Sequence, residues 1–100
     1  MSATFITTFK RKDLDFDWFK ESEEFKNYIT TKYINTGLCL QWRKQEVSED
    51  QHTMTATSIW VDRESAVQAT NDTYVRSNRI EMTRYCSFAD IEISDNRDQL

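Results

Sequence analysis

One glycine, Gly37, and no proline occur in the 100 residues. That scarcity excludes the P-loop, the Rossmann fingerprint and every glycine-rich phosphate cradle at once. It also leaves the element boundaries to be read from periodicity and from polar caps, because the usual turn-makers are nearly absent. A chain of this length forms one domain, residues 1–100. Its apolar share of 38% is low, but 13% of the residues are aromatic, and rings of this size give a lean chain enough surface to bury. The net charge of -4 counts against a nucleic-acid partner, which demands a basic footprint. No apolar run reaches the roughly 18–20 residues of a membrane span, and the opening residues, without a basic or long apolar region, are not expected to act as a secretory signal. The two cysteines, Cys39 and Cys86, are expected as small buried hydrophobes rather than a disulfide framework, which points to the cytoplasm.

Periodicity divides the chain into six elements. Ala3–Lys10 alternates, with Phe5, Thr7 and Phe9 on one face and Thr4, Ile6 and Thr8 on the other, and reads as a strand. Asp13, Asp15 and Asp17 offer caps for a helix whose stripe is Trp18, Ser22, Phe25, Ile29 and Tyr33. Gly37 is placed to end that helix with a left-handed cap. Leu38–Val47 alternates again, with Leu38, Leu40 and Trp42 on the helix-facing side, and Thr53–Val61 returns with Met54, Ala56, Ser58 and Trp60. The two are expected as a hairpin across Ser48-Glu49-Asp50-Gln51. Asp62 is set to cap a second helix, Arg63 to about Asn78, with a weak stripe of Ala66, Thr70, Thr73, Tyr74 and Ser77. Arg79–Ser87 carries no decisive pattern. Phe88–Ser94 closes the fold as a strand with Ala89, Ile91 and Ile93 inward, and the polar tail from Asp95 is expected to fray.

The order βαββαβ predicts an α+β domain of ferredoxin-like type: an antiparallel four-stranded sheet with two helices on one face. The other face is then unusual. Strand three offers it Thr53, Thr55, Thr57, Ile59 and Val61, and strand one offers Thr4, Ile6 and Thr8, with no charge among them. β-branched residues of this kind suit a covered sheet surface. A homodimer with its two sheets face to face is the expectation.

With that architecture in view, the chain resembles the dimeric α+β barrel superfamily, the antibiotic-biosynthesis-monooxygenase-like group. The likeness covers residues 3–94 through the order and length of elements, and its most family-like segment is Ser58-Ile59-Trp60-Val61-Asp62-Arg63-Glu64-Ser65-Ala66. The resemblance implies a barrel between two subunits and an apolar pocket between the sheet and helices of each. It also implies activities that include cofactor-free oxygenation of polycyclic aromatics and haem degradation. The haem-degrading branch carries a histidine on its second helix; here the only histidine is His52, near the hairpin turn. Trp60, Asn71, Tyr74 and Arg84 are residue types that the cofactor-free oxygenases place around substrate.

From the residues themselves, Phe5, Phe9, Leu40, Met54, Trp42 and Trp60 share the helix-facing side of the sheet, and Phe25 and Ile29 face them from the first helix. Such a wall either packs as a core or encloses a flat or long apolar ligand. Arg84 is a candidate anchor for a ligand carboxylate and Tyr74 a candidate proton donor or base; the plainer reading is a surface arginine and a core tyrosine. His52 in a polar turn is expected to be solvated. Asp13, Asp15, Asp17 and Glu24 match four positions of a calcium loop, but Trp18 stands where that loop needs glycine, so no metal is expected. The leading expectation is a homodimer binding an apolar or aromatic small molecule and possessing, as an oxygenase, Tyr74 and Arg84 as its catalytic pair with no cofactor. The alternative is a non-catalytic carrier or sensor of a long-chain ligand such as a fatty acid. An RNA-binding domain of the same element order is disfavoured by the threonines of strand three and by the acidic charge.

Overall fold

The computed structural model describes residues 1–99. Its elements are β1 (Ala3–Arg11), α1 (Glu23–Ile29), β2 (Cys39–Val47), β3 (Thr53–Trp60), α2 (Arg63–Thr70), α3 (Thr73–Phe88) and β4 (Ile91–Asp95). The four strands make one antiparallel sheet in the order β2-β3-β1-β4. The domain is therefore α+β as expected, but it has three helices where two were predicted. The second helical stretch divides at Asn71-Asp72, where Asn71 ends one helix and Asp72 caps the next by accepting from the N–H groups of Tyr74 and Val75.

Strict alternation holds where nothing interrupts it. Along β3, Met54, Ala56, Ser58 and Trp60 are buried, and along β1 so are Ala3, Thr7 and Phe9. This face carries two hydrophobic clusters. Phe25, Ile29 and Tyr33 meet Trp60, Cys39, Ala66 and Ala69 in one; Phe9, Met54 and Ala56 meet Met82, Cys86 and Ile91 in the other. Between them lie buried polar residues, Thr7, Ser58 and Asn78. The opposite face of β1 and β3 is uncharged from Thr4 to Thr8 and from Thr53 to Ile59 and is only partly shielded from solvent, with Ile6 at 36% exposure.

β2 breaks the alternation, and the expected facing of Leu40 is corrected. Register shifts fall between Cys39 and Gln41 and again between Gln41 and Lys44. Each adds a residue opposite β3, so Cys39 turns inward beside Trp60 while Leu40 is 60% exposed. Arg43 takes a left-handed backbone, φ 40, and the second bulge sends Trp42 and Arg43, adjacent in sequence, to the same side of the sheet.

The first helix also starts later than its stripe suggested. Ser22 is the cap, its hydroxyl accepting from the Phe25 N–H at 3.1 Å, so Asp13, Asp15 and Asp17 precede the helix. Trp18 lies in the preceding loop, where it meets the Phe9 ring edge-on and stacks under the Arg11 guanidinium. The helix widens into a π-turn over Thr30–Ile34 and stops at Gly37, whose φ of 80 supplies the left-handed cap the sequence predicted. Asp62 caps α2 through the Ser65 N–H at 2.7 Å, also as expected.

α3 runs to Phe88, which is exposed, and Ala89 caps it rather than entering β4. The segment after β4 does not fray over its described part: Asn96 donates to the Thr4 carbonyl and accepts from the Ile6 N–H, leading into a short 3-10 turn. His52 is half-buried and its Nδ1 lies 2.8 Å from the Arg11 carbonyl oxygen, so it ties the hairpin to β1.

Asp72 does more than cap. Its Oδ2 accepts from Tyr28 at 2.6 Å, Tyr33 at 2.5 Å and Lys32 at 3.0 Å. Burial opposes the charge on Asp72, but these three donors outweigh it and hold the carboxyl well below the usual range. The Tyr33 phenol, buried and donating to that carboxylate, is pushed up.

Candidate functional site

A cavity of about 520 Å³ opens between the sheet and the α2–α3 pair. Its floor is Phe5 from β1, Trp42 and Arg43 from β2 and Trp60 from β3. α2 contributes only Ala66, Ala69 and Thr70, and these short side chains leave room above the rings. The turn between the helices adds Asn71. α3 then supplies Val75, Arg76, Arg79, Ile80, Thr83 and Arg84, and the C-terminal turn supplies Arg97. At 3.6 residues per turn, the α3 residues form a stripe beside the buried one of Asn78, Met82 and Cys86. The size falls within the ~300–1,000 Å³ typical of small-molecule pockets.

The floor is rigid. Trp42 and Trp60 meet edge-to-face with centroids 6.1 Å apart, and Trp42 also contacts Phe25 at 6.0 Å. The Trp42 indole donates to Glu21 Oε1 at 3.0 Å, which fixes the ring. Glu21 Oε2 accepts from Asn78 at 3.1 Å and pairs with Arg43 Nη1 at 3.3 Å. Both partners are nearly buried, at 10% and 12% side-chain exposure. Burial depresses the Arg43 guanidinium below its ordinary value, while Glu21 opposes that drift.

At the other end, Arg79 forms a short ion pair with Asp95, lies 5.8 Å over the Phe5 ring, and shares its carboxylate with Arg97 at 3.8 Å. Burial pushes Arg79 down, and the neighbouring Arg97 adds to the effect. Arg76 and Arg84 stand exposed on the rim without a carboxylate partner among the described residues.

The sequence-predicted site residues separate into groups. Phe5, Trp42, Trp60 and Arg84 line the cavity together. Phe25 and Ile29 are buried in the cluster behind it, and Phe9 and Met54 in the other cluster. Leu40 faces solvent. Tyr74 is not a lining residue: its ring makes edge contacts with Phe25 at 5.3 Å and Tyr28 at 4.7 Å. The sequence reading missed Arg43, Arg76, Arg79 and Arg97. For the two on α3 a signal existed, since Arg76, Arg79, Ile80, Thr83 and Arg84 share one helical face, but it shows only once the helix is carried beyond Asn78.

No protein-family model matches the chain, and neither a curated protein nor a solved structure shows significant similarity to it. No described helix is long and apolar enough to cross a membrane.

Proposed function

We propose that this protein binds an apolar or aromatic small molecule in the cavity between its sheet and helices, acting as a carrier or sensor. The observation that carries the reading is the aromatic floor of Phe5, Trp42 and Trp60 beneath a space left open by the alanines of α2. A flat or long hydrocarbon placed there would exchange water for ring surface on one side and for Val75 and Ile80 on the other.

The oxygenase alternative requires a group that takes a proton from the substrate. Tyr74, the candidate for that role, lies outside the cavity, and the lining consists of rings, aliphatic groups, hydroxyls, one amide and guanidinium cations. This composition favours holding a ligand over deprotonating it.

The same proposal includes a ferredoxin-like fold and a homodimer with sheets face to face, as in dimeric α+β barrels. Read from the β4 edge, the strand order β4-β1-β3-β2 supports the fold, the divided second helix being an elaboration. The dimer is supported by the uncharged pairs Thr4–Ile59, Ile6–Thr57 and Thr8–Thr55 at the centre of the open sheet face. Two buried free thiols, Cys39 and Cys86, fit a cytoplasmic setting. Native mass spectrometry of freshly purified protein, followed by denaturation, tests both parts. A dimer that releases a small apolar adduct is the expected result; a monomer would remove the face-to-face sheets, and failure to take up any added aromatic probe would remove the carrier.

A further inference from the structure

The cavity draws its charges from one residue type. The chain has seven arginines and six lysines. Five of the arginines line this cavity, while no lysine and no acidic residue does. Among the described residues, those five guanidinium groups meet only two carboxylates, Glu21 and Asp95. A local excess of three positive charges thus sits in a chain whose net charge is -4. Surface cations placed for solubility would mix lysine with arginine and intersperse acids. Guanidinium differs from ammonium in its planar fork, which matches the two oxygens of an oxyanion, and in its weaker hydration beside apolar surface.

We propose that the ligand is an amphipathic organic anion: an aromatic or long-chain body on the tryptophan floor, carrying a carboxylate or an equivalent oxyanion at the arginine rim. Arg76 and Arg84 neutralise the acid group, because Arg43, Arg79 and Arg97 already share carboxylates of the protein. Arg76, Ile80 and Arg84 follow one another at four-residue spacing on α3, so the two cations flank an apolar side chain. The resulting entrance is apolar at its middle and cationic at both sides. This inference rests on the cavity reading above and adds the charge of what enters.

A matched pair of fluorescent probes separates the two claims. 8-Anilinonaphthalene-1-sulfonate carries an oxyanion, and N-phenyl-1-naphthylamine is its neutral counterpart; both brighten in apolar surroundings. The intact protein should bind both, the sulfonate more tightly by at least about tenfold, the scale of one charge-assisted contact. Its advantage should shrink with added salt. Arg76→Gln and Arg84→Gln should each lower sulfonate affinity roughly tenfold and leave the neutral amine unchanged. Lys20→Gln, which removes the same charge outside the cavity, should alter neither, and melting curves should show all three variants folded. If the amine binds but the sulfonate binds no tighter, or is indifferent to both arginine substitutions, the acid claim is overturned and the cavity stands. If neither probe binds, the cavity reading falls and the acid claim with it.

Discussion

Two charged regions sit on α3, and they are built on opposite plans. At its start, the Asp72 carboxylate receives five donors: the Tyr28 and Tyr33 hydroxyls, the Lys32 ammonium, and the N–H groups of Tyr74 and Val75. Its side chain is 5% exposed. One to three turns later, Arg76 and Arg84 border the cavity with no carboxylate partner among the described residues. The first arrangement holds elements together, since it ties the π-turn after α1 to the break between α2 and α3. The second adds nothing visible to the fold. The Asp72 charge is matched donor to acceptor, whereas Arg76 and Arg84, without a carboxylate among the described residues, border the space where a ligand would sit.

The Glu21–Arg43 pair sharpens this contrast, because it is a matched pair whose arginine lines the cavity. Glu21→Ala would strand a buried guanidinium and remove the acceptor of Trp42 and Asn78. The expected loss is about 3–5 kcal/mol, read from chemical denaturation. Pairing Glu21→Gln with Arg43→Met should recover most of that loss, since the penalty comes from the orphaned charge and not from the missing pair.

Asp72→Ala should come next, at about 3 kcal/mol, combining the lost helix cap with the loss of charge-assisted bonds from two phenols. The same residue sets a pH dependence. Its carboxyl is held low in the folded protein, so its contribution is complete above about pH 4, the value of an unfolded aspartate, and is lost as pH falls toward the depressed folded value. Stability measured from pH 5 downward should therefore drop less steeply in Asp72→Asn than in the parent. Equal slopes would mean that this centre is not what the acid limb reports.

The smallest effect belongs to the rim. Arg76→Gln and Arg84→Gln should each change stability by no more than about 0.5 kcal/mol, as for ordinary surface substitutions. A loss comparable to that of Asp72→Ala would break the comparison, because the rim would then be structural.

The parts of this fold that were legible in the sequence are those where one period runs unbroken. β1 and β3 keep an alternation of two, and Gly37 and Asp62 mark helix ends by chemistry that only a few residues supply. β2 was misread at Leu40 because a bulge changes parity without leaving a compositional trace; Arg43 has no feature that announces a left-handed backbone. Trp18 fits the first helical stripe by spacing alone, yet Ser22 competes as the cap and wins, leaving the ring to pack on Phe9. The break at Asn71-Asp72 lacks both glycine and proline, so a single long helix was the simpler reading. That break hid the cavity: until α3 runs from Thr73 to Phe88, Arg76, Arg79 and Arg84 do not share a face, and Tyr74 and Arg84 look like partners although only Arg84 lines the cavity.

The central claim is that small apolar molecules enter between the sheet and the α2–α3 pair. Amide and indole NMR during titration with N-phenyl-1-naphthylamine tests it most directly. The account predicts shifts concentrated at the Trp42 and Trp60 indoles and at Ala69, Thr70, Val75 and Ile80, with Phe9 and Met54 little changed. Shifts centred instead on Thr55, Thr57 and Ile6, across the open face of the sheet, would contradict it.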